Sequence, residues 1–407
     1  MAEIIDTLRE RGFVQQISDE PGLESALGQG PITLYWGTDP TADSLTAGHL
    51  VSLMMLAHFE RAGHRPIVVV GGGTGLIGDP TGKTEMRQML TSEQIDANMA
   101  GQRLQIGRFL DAPLMNNADW LLSLGYIEFL RDIGRHFSVN QLLQHSTYRE
   151  RLAGDGLNFI ELNYALMQAY DFLYLYRTEG CTLQVAGSDQ WFNILEGTEL
   201  IRRAEGAEAY ALVTPLLTTA TGQKMGKTAA GAVWLDPERT SPYDFYQHWI
   251  NTADADVERF LAFFTFLPMD EVRALGRLEG ADLRSAKEML AGEVTKIVHG
   301  DVAAHEARET SQALFGDGSD LAGAPTTEMD PTRLETGLEL VDLLTETGLV
   351  ASKRAARDLI RQGGAYVNGQ RVDDPGTVLT LDQFKSDVLL LRAGKKRFHR
   401  VLLRRVL

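Results

Sequence analysis

Residues 32–72 read ITLYWGTDPTADSLTAGHLVSLMMLAHFERAGHRPIVVVGG, and this stretch decides the fold. Two short apolar runs, ITLYWG (32–37) and PIVVVGG (66–72), each end in glycine, and a helical pattern lies between them. A third run of the same kind, TLQVAG, covers residues 182–187. Strands that alternate with helices predict a parallel sheet, whose ligands bind at the carboxyl ends of the strands.

The remainder of the chain changes character twice. Residues 241–315 lose the strand pattern, and SPYDFYQHWI, DVERFLAFFTFL and SAKEMLAGEVTKIVHG have helical spacing of apolar residues. A segment rich in Gly, Thr, Pro and acids follows, and this composition is typical of a linker. In the last 70 residues a helical SKRAARDLIRQ precedes GGAYVNGQRV, where Asn368 and Gly369 predict a hairpin turn. We therefore expect a Rossmann-like parallel-sheet domain (1–236), a helical domain (237–320), a linker (321–337) and a small α+β module (338–407).

Length and composition narrow the class of protein. The 407 residues suit two or three domains at roughly 100–200 residues each. No apolar run approaches the roughly 20 residues that span a bilayer, and the first residues lack the apolar core of a signal peptide. Cys181 is the only cysteine, which excludes an intrachain disulfide and a cysteine zinc site. We therefore expect a protein of the reducing cytoplasm.

Charge is distributed unevenly along the chain. The net charge is −16, yet residues 338–407 contain 13 Lys and Arg against 8 Asp and Glu, so the rest carries −21. An acidic body with a basic end indicates that nucleic acid, if bound, is held partly by that end. A merely solvated charged end would explain the same numbers.

The helix start after the first strand is a candidate phosphate site. PTADSLTAGHL (40–50) leads into a predicted helix that begins near Ala47, and His49 lies in its first turn. Exposed N–H groups and the helix dipole favour an anion there, and a ring donor would add to that field. The competing interpretation is that Thr46 caps the helix and His49 only packs.

The glycine-rich segment GGGTGLIGDPTGKTEMR (71–87) admits two misleading interpretations. Residues 73–78 fit a dinucleotide fingerprint, but Pro80 follows where a long helix should continue. Gly78 and Lys83 resemble a P-loop, but only three residues separate the two glycines instead of four. We interpret the segment as a glycine-lined loop bearing Asp79, Lys83 and Arg87, which could bind an ammonium group and phosphate.

Polar side chains recur on an apolar helix at 158–176. Tyr164, Gln168 and Asp171 are spaced four and three residues apart and so share one face. Buried hydrogen-bonding groups need partners, and either a ligand or a closed internal network would supply them.

Two further segments follow in the sequence. GSDQW (187–191) stands at the end of the third strand and contributes Gly187, Asp189 and Gln190, although a helix cap would also explain it. TTATGQKMGKTAAGAVWLD (218–236) has no regular period and carries Lys224 and Lys227. Such a loop could stabilise charge that develops on a phosphate, or it could be a solvated loop.

These segments, in this order, resemble the class I aminoacyl-tRNA synthetases, and specifically the bacterial tyrosyl-tRNA synthetase family. PTADSLTAGHL resembles the HIGH motif and KMGKT (224–228) the KMSKS loop, while YWGTDPTADSL, TGLIGDPTGK, YALMQAYDF and GSDQW match in turn. The resemblance covers nearly the whole chain, including an anticodon-side helical domain and a C-terminal S-four-type RNA-binding module. Two positions depart from the family: Thr46 replaces the first histidine of HIGH, and Trp36 stands where a small residue is common.

The resemblance implies ATP-dependent activation of L-tyrosine and its transfer to tRNA(Tyr). It assigns the substrate phenol to Tyr35 and Asp171, the ammonium group to Asp79, Tyr164 and Gln168, and a lining role to Gln190. The implied ATP-binding residues are Gly37, Asp39, Gly48, His49, Gly187, Asp189 and Lys227. The implied catalytic residues are Thr41, His49, Lys83, Arg87, Lys224 and Lys227.

The resemblance also implies partners and cofactors. ATP would bind with Mg²⁺, without a tightly bound cofactor or a protein metal site, and the enzyme would be a homodimer that does not enter a membrane. Two basic clusters would contact tRNA: Lys353, Arg354 and Arg357, then Lys395, Lys396 and Arg397.

Three other functions would each explain part of the sequence. A tryptophanyl-type synthetase would share the fold but lack a carboxylate aimed at a phenol. A nicotinamide-dependent oxidoreductase would use the glycine run at 73–78, against which Pro80 argues. A non-enzymatic RNA-binding protein would explain the basic end but not the α/β body.

Overall fold

The computed structural model describes residues 3–79, 90–154, 156–220, 222, 226–228, 231–280, 282–315, 325–335, 337–384, 388–394 and 397–404. The chain divides into two compact units. The first comprises residues 1–240 and 249–298, and the second comprises residues 241–248 and 299–407.

The regular elements follow in chain order. The strands are β1 (Gln16–Ile17), β2 (Thr33–Thr38), β3 (Arg65–Val70), β4 (Leu114–Asn116), β5 (Cys181–Gly187), β6 (Tyr210–Thr214), β7 (Lys227–Thr228), β8 (Gly231–Ala232), β9 (Thr326–Met329), β10 (Leu338–Glu339), β11 (Ala365–Val367), β12 (Gln370–Val372), β13 (Val378–Leu379), β14 (Val388–Ala393) and β15 (Arg397–Leu403). The helices are α1 (Glu3–Glu10), α2 (Glu20–Gln29), α3 (Leu50–Arg61), α4 (Ser92–Ile106), α5 (Ala118–Leu121), α6 (Tyr126–Asp132), α7 (Val139–Leu142), α8 (Ser146–Ala153), α9 (Phe159–Glu179), α10 (Trp191–Glu205), α11 (Pro242–Ile250), α12 (Val257–Phe264), α13 (Met269–Gly276), α14 (Leu283–His299), α15 (Asp301–Phe315), α16 (Thr332–Glu335), α17 (Leu340–Glu346) and α18 (Lys353–Arg361).

A six-stranded sheet in the order β1-β6-β5-β2-β3-β4 forms the centre of the first unit. All neighbouring strands are parallel except β1, which pairs antiparallel with β6. The three predicted strands correspond to β2, β3 and β5, and the predicted α/β class is confirmed. Because β3 and β5 lie on opposite sides of β2, the strand order reverses there, and ligands of such sheets bind in the crevice beyond the carboxyl ends.

Helices cover the sheet as their sequences dictate. Residues 50–59 of α3 are buried all round, which matches their nearly uninterrupted apolar sequence. Helix α9 starts at a capping box formed by Asn158 and Glu161 and ends at Gly180, whose φ of 61° lies in the left-handed region. A core of apolar side chains from β2, β3, α9 and α10 fixes α9 relative to the sheet, among them Tyr35, Ile67, Phe172, Leu173 and Leu200.

The helical segment 249–298 belongs to the first compact unit, although its composition predicted a separate domain over 237–320. Arg11, just after α1, explains part of this attachment. Its Nη1 donates to the carbonyl oxygens of Ala262 and Thr265, at 3.0 and 2.9 Å, where α12 ends. The last carbonyls of a helix have no partners within it, so this side chain ties α12 to the N-terminal segment. The three-domain division itself stays a prediction.

The second unit contains the predicted C-terminal module, with a sheet in the order β12-β11-β14-β15-β9. Asn368 and Gly369 form the predicted turn between β11 and β12, with positive φ values of 50° and 80°. Residues 326–329, which composition assigned to the linker, form β9 and pair in parallel with β15. Helices α17 and α18 bury Leu344, Ala356 and Ile360 in the core of this module. In the parts of the chain that the structure describes, no helix is both long enough and apolar enough to cross a membrane.

Candidate active site

A cavity of about 450 Å³ opens beyond the carboxyl ends of β2 and β5, where the strand order reverses. The sequence predicted a set of polar and glycine positions as site residues, and the described members of this set between Tyr35 and Gln190 come together at this cavity. Its walls include Tyr35, Gly37, Asp39, Thr41, Gly48, His49, Asp79, Tyr164, Gln168, Asp171, Gly187, Asp189 and Gln190. Trp36 and Thr46, the two residues that differ from the family's usual pattern, line the cavity as well.

At one end of the cavity lies the carboxyl group of Asp171, which is 4% exposed. Trp120 Nε1 donates to one oxygen at 2.7 Å, and Asn117 Nδ2 donates to the other at 2.9 Å. Burial raises the pKa of Asp171 to about 7, although both hydrogen bonds act in the opposite direction because they favour the carboxylate. The two donors therefore hold the carboxyl group of Asp171 in a fixed orientation, in which it can accept a further hydrogen bond from a ligand.

Tyr35 lines the same cavity, and its hydroxyl lies close enough to Asp171 to feel its charge. The hydroxyl is buried, and no described residue provides a hydrogen-bond partner for it. Burial and the charge of Asp171 hold the pKa of Tyr35 well above its usual range, so the hydroxyl keeps its proton. A buried donor without a partner is costly, and a ligand hydroxyl placed between Tyr35 and Asp171 would satisfy both side chains.

Two further acids line the middle of the cavity. Asp39 receives hydrogen bonds from Thr74 Oγ1 at 3.2 Å and from Tyr164 Oη at 3.3 Å. Asp79 accepts from Gln190 Nε2 at 2.7 Å. These two acids give the region negative charge, which suits a ligand ammonium group.

Thr46 contacts His49 within the turn that carries this histidine. The backbone N–H and the Oγ1 of Thr46 each lie 3.0 Å from His49 Nδ1. Since a backbone N–H can only donate, Nδ1 accepts and the neutral ring carries its proton on Nε2. Burial lowers the pKa of His49, which favours this neutral form. The ring of Trp36 packs edge-on against His49 with 6.3 Å between centroids. Thr46 thus contacts the histidine, and a phosphate role for its hydroxyl stays a prediction.

The lysine-bearing segment lies against the same turn. Gly226 has a φ of 78°, and a Cβ there would lie 2.7 Å from the backbone nitrogen of Gly48. Its carbonyl accepts from Val233 N–H at 2.9 Å, and Val233 in turn accepts from Ala47 N–H at 2.8 Å. Only glycine permits this close approach. The backbone of Lys227 lies in β7, whereas its side chain and the predicted residues Lys83, Arg87 and Lys224 lie outside the described part of the chain.

The residues predicted to contact RNA are partly described. Lys353, Arg354 and Arg357 are exposed on α18, and Lys353 Nζ also pairs with Asp342 at 2.7 Å. Arg397 is exposed at the start of β15. Lys395 and Lys396 lie outside the described residues.

Sequence reasoning missed three side chains of the site. Asn117 and Trp120 hold the carboxylate of Asp171, and Gln184 lines the cavity from the middle of β5. The polar NNADW (116–120) directly after the short strand β4 was a usable signal, because residues beyond parallel strands face the ligand crevice. Gln184 interrupts the apolar run TLQVAG, and that interruption could have identified it.

Comparison with known proteins places the chain in a family. Residues 27–316 match the family described as class I tRNA synthetases (W and Y), and residues 320–401 match the C-terminal domain of SYY-like tyrosine–tRNA ligases. The chain is 50% identical to a tyrosine–tRNA ligase of Caldanaerobacter subterraneus subsp. tengcongensis, over 98% of this chain and 99% of that one. It is 51% identical to one of Clostridium botulinum (strain Loch Maree), over 99% and 100%. The chain belongs to the tyrosine–tRNA ligase family of class I tRNA synthetases.

Solved structures agree with this placement. A C-terminally truncated mitochondrial tyrosyl-tRNA synthetase of Aspergillus nidulans superposes with a TM-score of 0.70 at 30% identity, covering 77% of this chain and 94% of that one. A tryptophanyl-tRNA synthetase of Encephalitozoon cuniculi reaches 0.52 at 16% identity, which shows a shared fold alone. The resemblance found in the sequence is confirmed, and the oxidoreductase and tryptophanyl alternatives are set aside.

The environment of Asp171 predicts how its pKa responds to substitution. Trp120→Phe removes the Nε1 donor that favours the carboxylate, so the pKa of Asp171 should rise above the wild-type value of about 7. Infrared titration of the ligand-free protein, with Asp171→Asn to assign the carboxyl band, measures this. Tyr174→Phe is the matched control, because Tyr174 stacks on Trp120 with 4.4 Å between centroids but the substitution leaves the donor in place. A band that titrates near the usual aspartate pKa would contradict the described environment.

Proposed function

We propose that this enzyme recognises L-tyrosine through the phenol, activates it with ATP and transfers it to tRNA(Tyr). The observation that carries the proposal is the combination of Asp171 and Tyr35 in the wall of the cavity. Asp171 is held as an acceptor by Trp120 and Asn117, and the protonated hydroxyl of Tyr35 lacks a described partner. A phenol can donate to the first and accept from the second, whereas an indole or a phenyl ring cannot do both.

The other predicted residues are assigned to the remaining parts of the substrates. Asp79, Tyr164 and Gln168 would bind the ammonium group, with Gln190 lining the site. Gly37, Asp39, Gly48, His49, Gly187 and Asp189 would contact the nucleotide. Thr41, Lys83, Arg87, Lys224 and Lys227 would stabilise the phosphates. Support comes from the common cavity of those members that the structure describes.

The proposed chemistry needs no protein nucleophile. The tyrosine carboxylate attacks the α-phosphorus of ATP, a carboxylate–phosphorus bond forms, and the bond to the β-phosphate oxygen breaks to release pyrophosphate. The terminal ribose hydroxyl of tRNA then attacks the carbonyl carbon, and AMP leaves. The enzyme contributes positioning and electrostatic stabilisation of charge on the phosphates.

Mg²⁺ is proposed to enter with ATP. Its preferred ligands are oxygens, which the phosphates supply. Within the described residues no cluster of three His, Cys, Asp or Glu side chains could hold a metal ion, so the protein's contribution would be to bind the complexed nucleotide. We place the enzyme in the cytoplasm, where the single buried thiol of Cys181 would stay reduced.

Amino-acid selectivity tests the assignment of the phenol site. Phenylalanine would leave Tyr35 and Asp171 unsatisfied, at a cost of about 1–3 kcal/mol for a neutral group and more for a charge. Tyr35→Phe should therefore reduce the preference for tyrosine modestly, and Asp171→Ala should nearly abolish tyrosine activation. Pyrophosphate exchange with tyrosine and with phenylalanine measures both effects.

Tyr164→Phe provides the control for that experiment. It removes a hydroxyl from the same helix at the ammonium end, so it should weaken activation of both amino acids alike. If Asp171→Ala keeps wild-type selectivity, the phenol is recognised elsewhere.

The basic helix α18 is proposed to contact tRNA phosphates. Arg354→Glu with Arg357→Glu, in the full chain, should lower the rate of tRNA charging while tyrosine-dependent pyrophosphate exchange stays unchanged. The salt dependence of tRNA binding should fall by about one for each lost phosphate contact. Arg9→Glu on α1, an exposed arginine paired with Glu20, is the control. Equal tRNA affinity in the double variant and in wild type would refute the assignment.

A homodimer is proposed on the basis of an apolar groove in the first unit. Phe129, Phe159, Ile160 and Met167 line it together with Ile77, Leu121, Leu124, Tyr126 and Asn163. Phe159 is 65% exposed, and neighbouring Leu122 and Ile127 are 67% and 74% exposed. Soluble monomers rarely expose contiguous apolar patches of this kind, and a second copy related by twofold symmetry would cover it.

Sedimentation equilibrium tests the dimer. We expect twice the chain mass of 44.9 kDa for the wild type, and a shift toward the monomer for Phe159→Asp. Leu104→Asp, at a leucine that is 72% exposed outside the groove, should leave the mass unchanged. A wild-type mass of one chain at micromolar concentration would rule the proposal out.

A further inference from the structure

The side chain of an aspartate at the start of α12 forms a hydrogen bond with another segment of the chain and not with the backbone of its own helix. Asp256 occupies the N-cap position, where a carboxylate normally accepts from N–H groups of the first turn, yet its side chain makes no such bond. Instead Oδ2 accepts from the backbone N–H of Ala220 at 2.7 Å. Asp256 is 2% exposed, so this bond is well shielded from water.

Arg259, one turn further along α12, completes the contact. Its Nη2 donates to Asp256 Oδ1 at 2.6 Å and to the carbonyl oxygen of Thr218 at 2.5 Å. The pair therefore binds one N–H and one C=O of the same three-residue segment. Charge-assisted bonds to backbone groups are stronger than neutral ones, and two bonds fix orientation as well as position.

The segment held in this way leads from the cavity to the lysine-bearing residues. Pro215, Leu216 and Leu217 line the cavity, and Thr218 follows at once. Beyond Ala220, Gly222 N–H donates to Thr219 O at 2.8 Å and turns the chain. Further along, Gly226 packs on Gly48. Thr218 and Ala220 are thus bonded to side chains of α12, and Gly226 contacts the turn that bears His49.

We propose that Asp256 and Arg259 are positioning residues for tyrosine activation. Neither residue is among those that line the cavity. They hold residues 215–220 so that the cavity wall, and the start of the lysine-bearing segment, face the phosphates. This inference rests on the proposed function, since it assigns the ATP end of the cavity to that wall. Their loss should affect the step in which charge develops on the phosphates and not the binding of tyrosine, which is recognised at the opposite end.

Single-turnover kinetics on the full-length enzyme tests the proposal. Asp256→Ala should slow tyrosyl-adenylate formation by about 10- to 100-fold, as a displacement of an ångström does in such sites. The tyrosine dissociation constant should stay within about twofold of wild type, because a removed interaction that acts only in the transition state leaves ground-state binding intact. Asp256→Asn should recover much of the rate, since its carbonyl oxygen can still accept from Ala220 N–H.

Arg259→Gln should slow tyrosyl-adenylate formation to the same extent as Asp256→Ala. The double variant should lose little more of the rate than either single variant.

Asp254→Ala is the matched control. Asp254 lies in the same short turn before α12, is 76% exposed and pairs with Lys287, so its loss should leave the activation rate unchanged. If Asp256→Ala does not fold, Arg259→Gln carries the test, because Arg259 is 41% exposed.

Unchanged activation rates in Arg259→Gln and Asp256→Ala would overturn the inference. Parallel losses of tyrosine affinity and thermal stability would overturn it as well. A wild-type enzyme without tyrosine-dependent pyrophosphate exchange would instead refute the proposed function.

Discussion

The burial of one carboxylate, that of Asp171, organises the part of the cavity that is proposed to bind tyrosine. A carboxylate removed from water must be compensated by hydrogen bonds, and Trp120 and Asn117 provide them from the segment that follows β4. Helix α9 supplies the acid and the far edge of the sheet supplies the donors, so their separation is fixed by two bonds of 2.7 and 2.9 Å. The remaining cost of burial is visible in the raised pKa of Asp171, and a phenol that donates to this carboxylate would reduce it.

Asn117 extends this constraint into the glycine-rich turn. Its Oδ1 accepts from the N–H of Gly73 at 2.8 Å, and its Nδ2 donates to Thr74 Oγ1 at 3.0 Å. Thr74 then donates to Asp39, so a hydrogen-bonded path joins Asp171 to the middle of the cavity. A Cβ at Gly72 would collide with the side chain of Asn116. Within the apparent dinucleotide fingerprint, a Cβ at Gly73 would lie 3.1 Å from the side chain of Leu121, and Gly78 has a φ of 85°. Packing and backbone conformation therefore favour glycine at these two positions.

The sequence predicted those elements of the fold that are determined by residues close to one another in the chain. The strands β2, β3 and β5, the helix α9 and the Asn368–Gly369 turn follow from periodicity and turn chemistry, which operate over a few residues. The roles of Asn117 and Asp256 could not be predicted in this way, because each depends on a partner 36 to 54 residues distant. Strand β9 was missed because its residues, TTEM, are mostly exposed at the edge of a sheet and carry no apolar alternation.

The two ends of the cavity are built by different means, and this has a consequence for how they act. The proposed tyrosine site is formed by side chains of regular elements, whose packing leaves the carboxylate of Asp171 and the hydroxyl of Tyr35 little freedom. The other end is formed by backbone contacts between irregular segments, such as Gly226 on Gly48 and the Thr46 turn with its bond to His49. Rigid side chains suit discrimination between amino acids, where a misplaced hydroxyl partner costs selectivity directly. Backbone contacts between loops can tighten or loosen with little loss of core packing, which would suit the proposed ATP site, where charge develops during the reaction. Under the proposed assignment, substitutions at the two sites would therefore alter selectivity and rate independently.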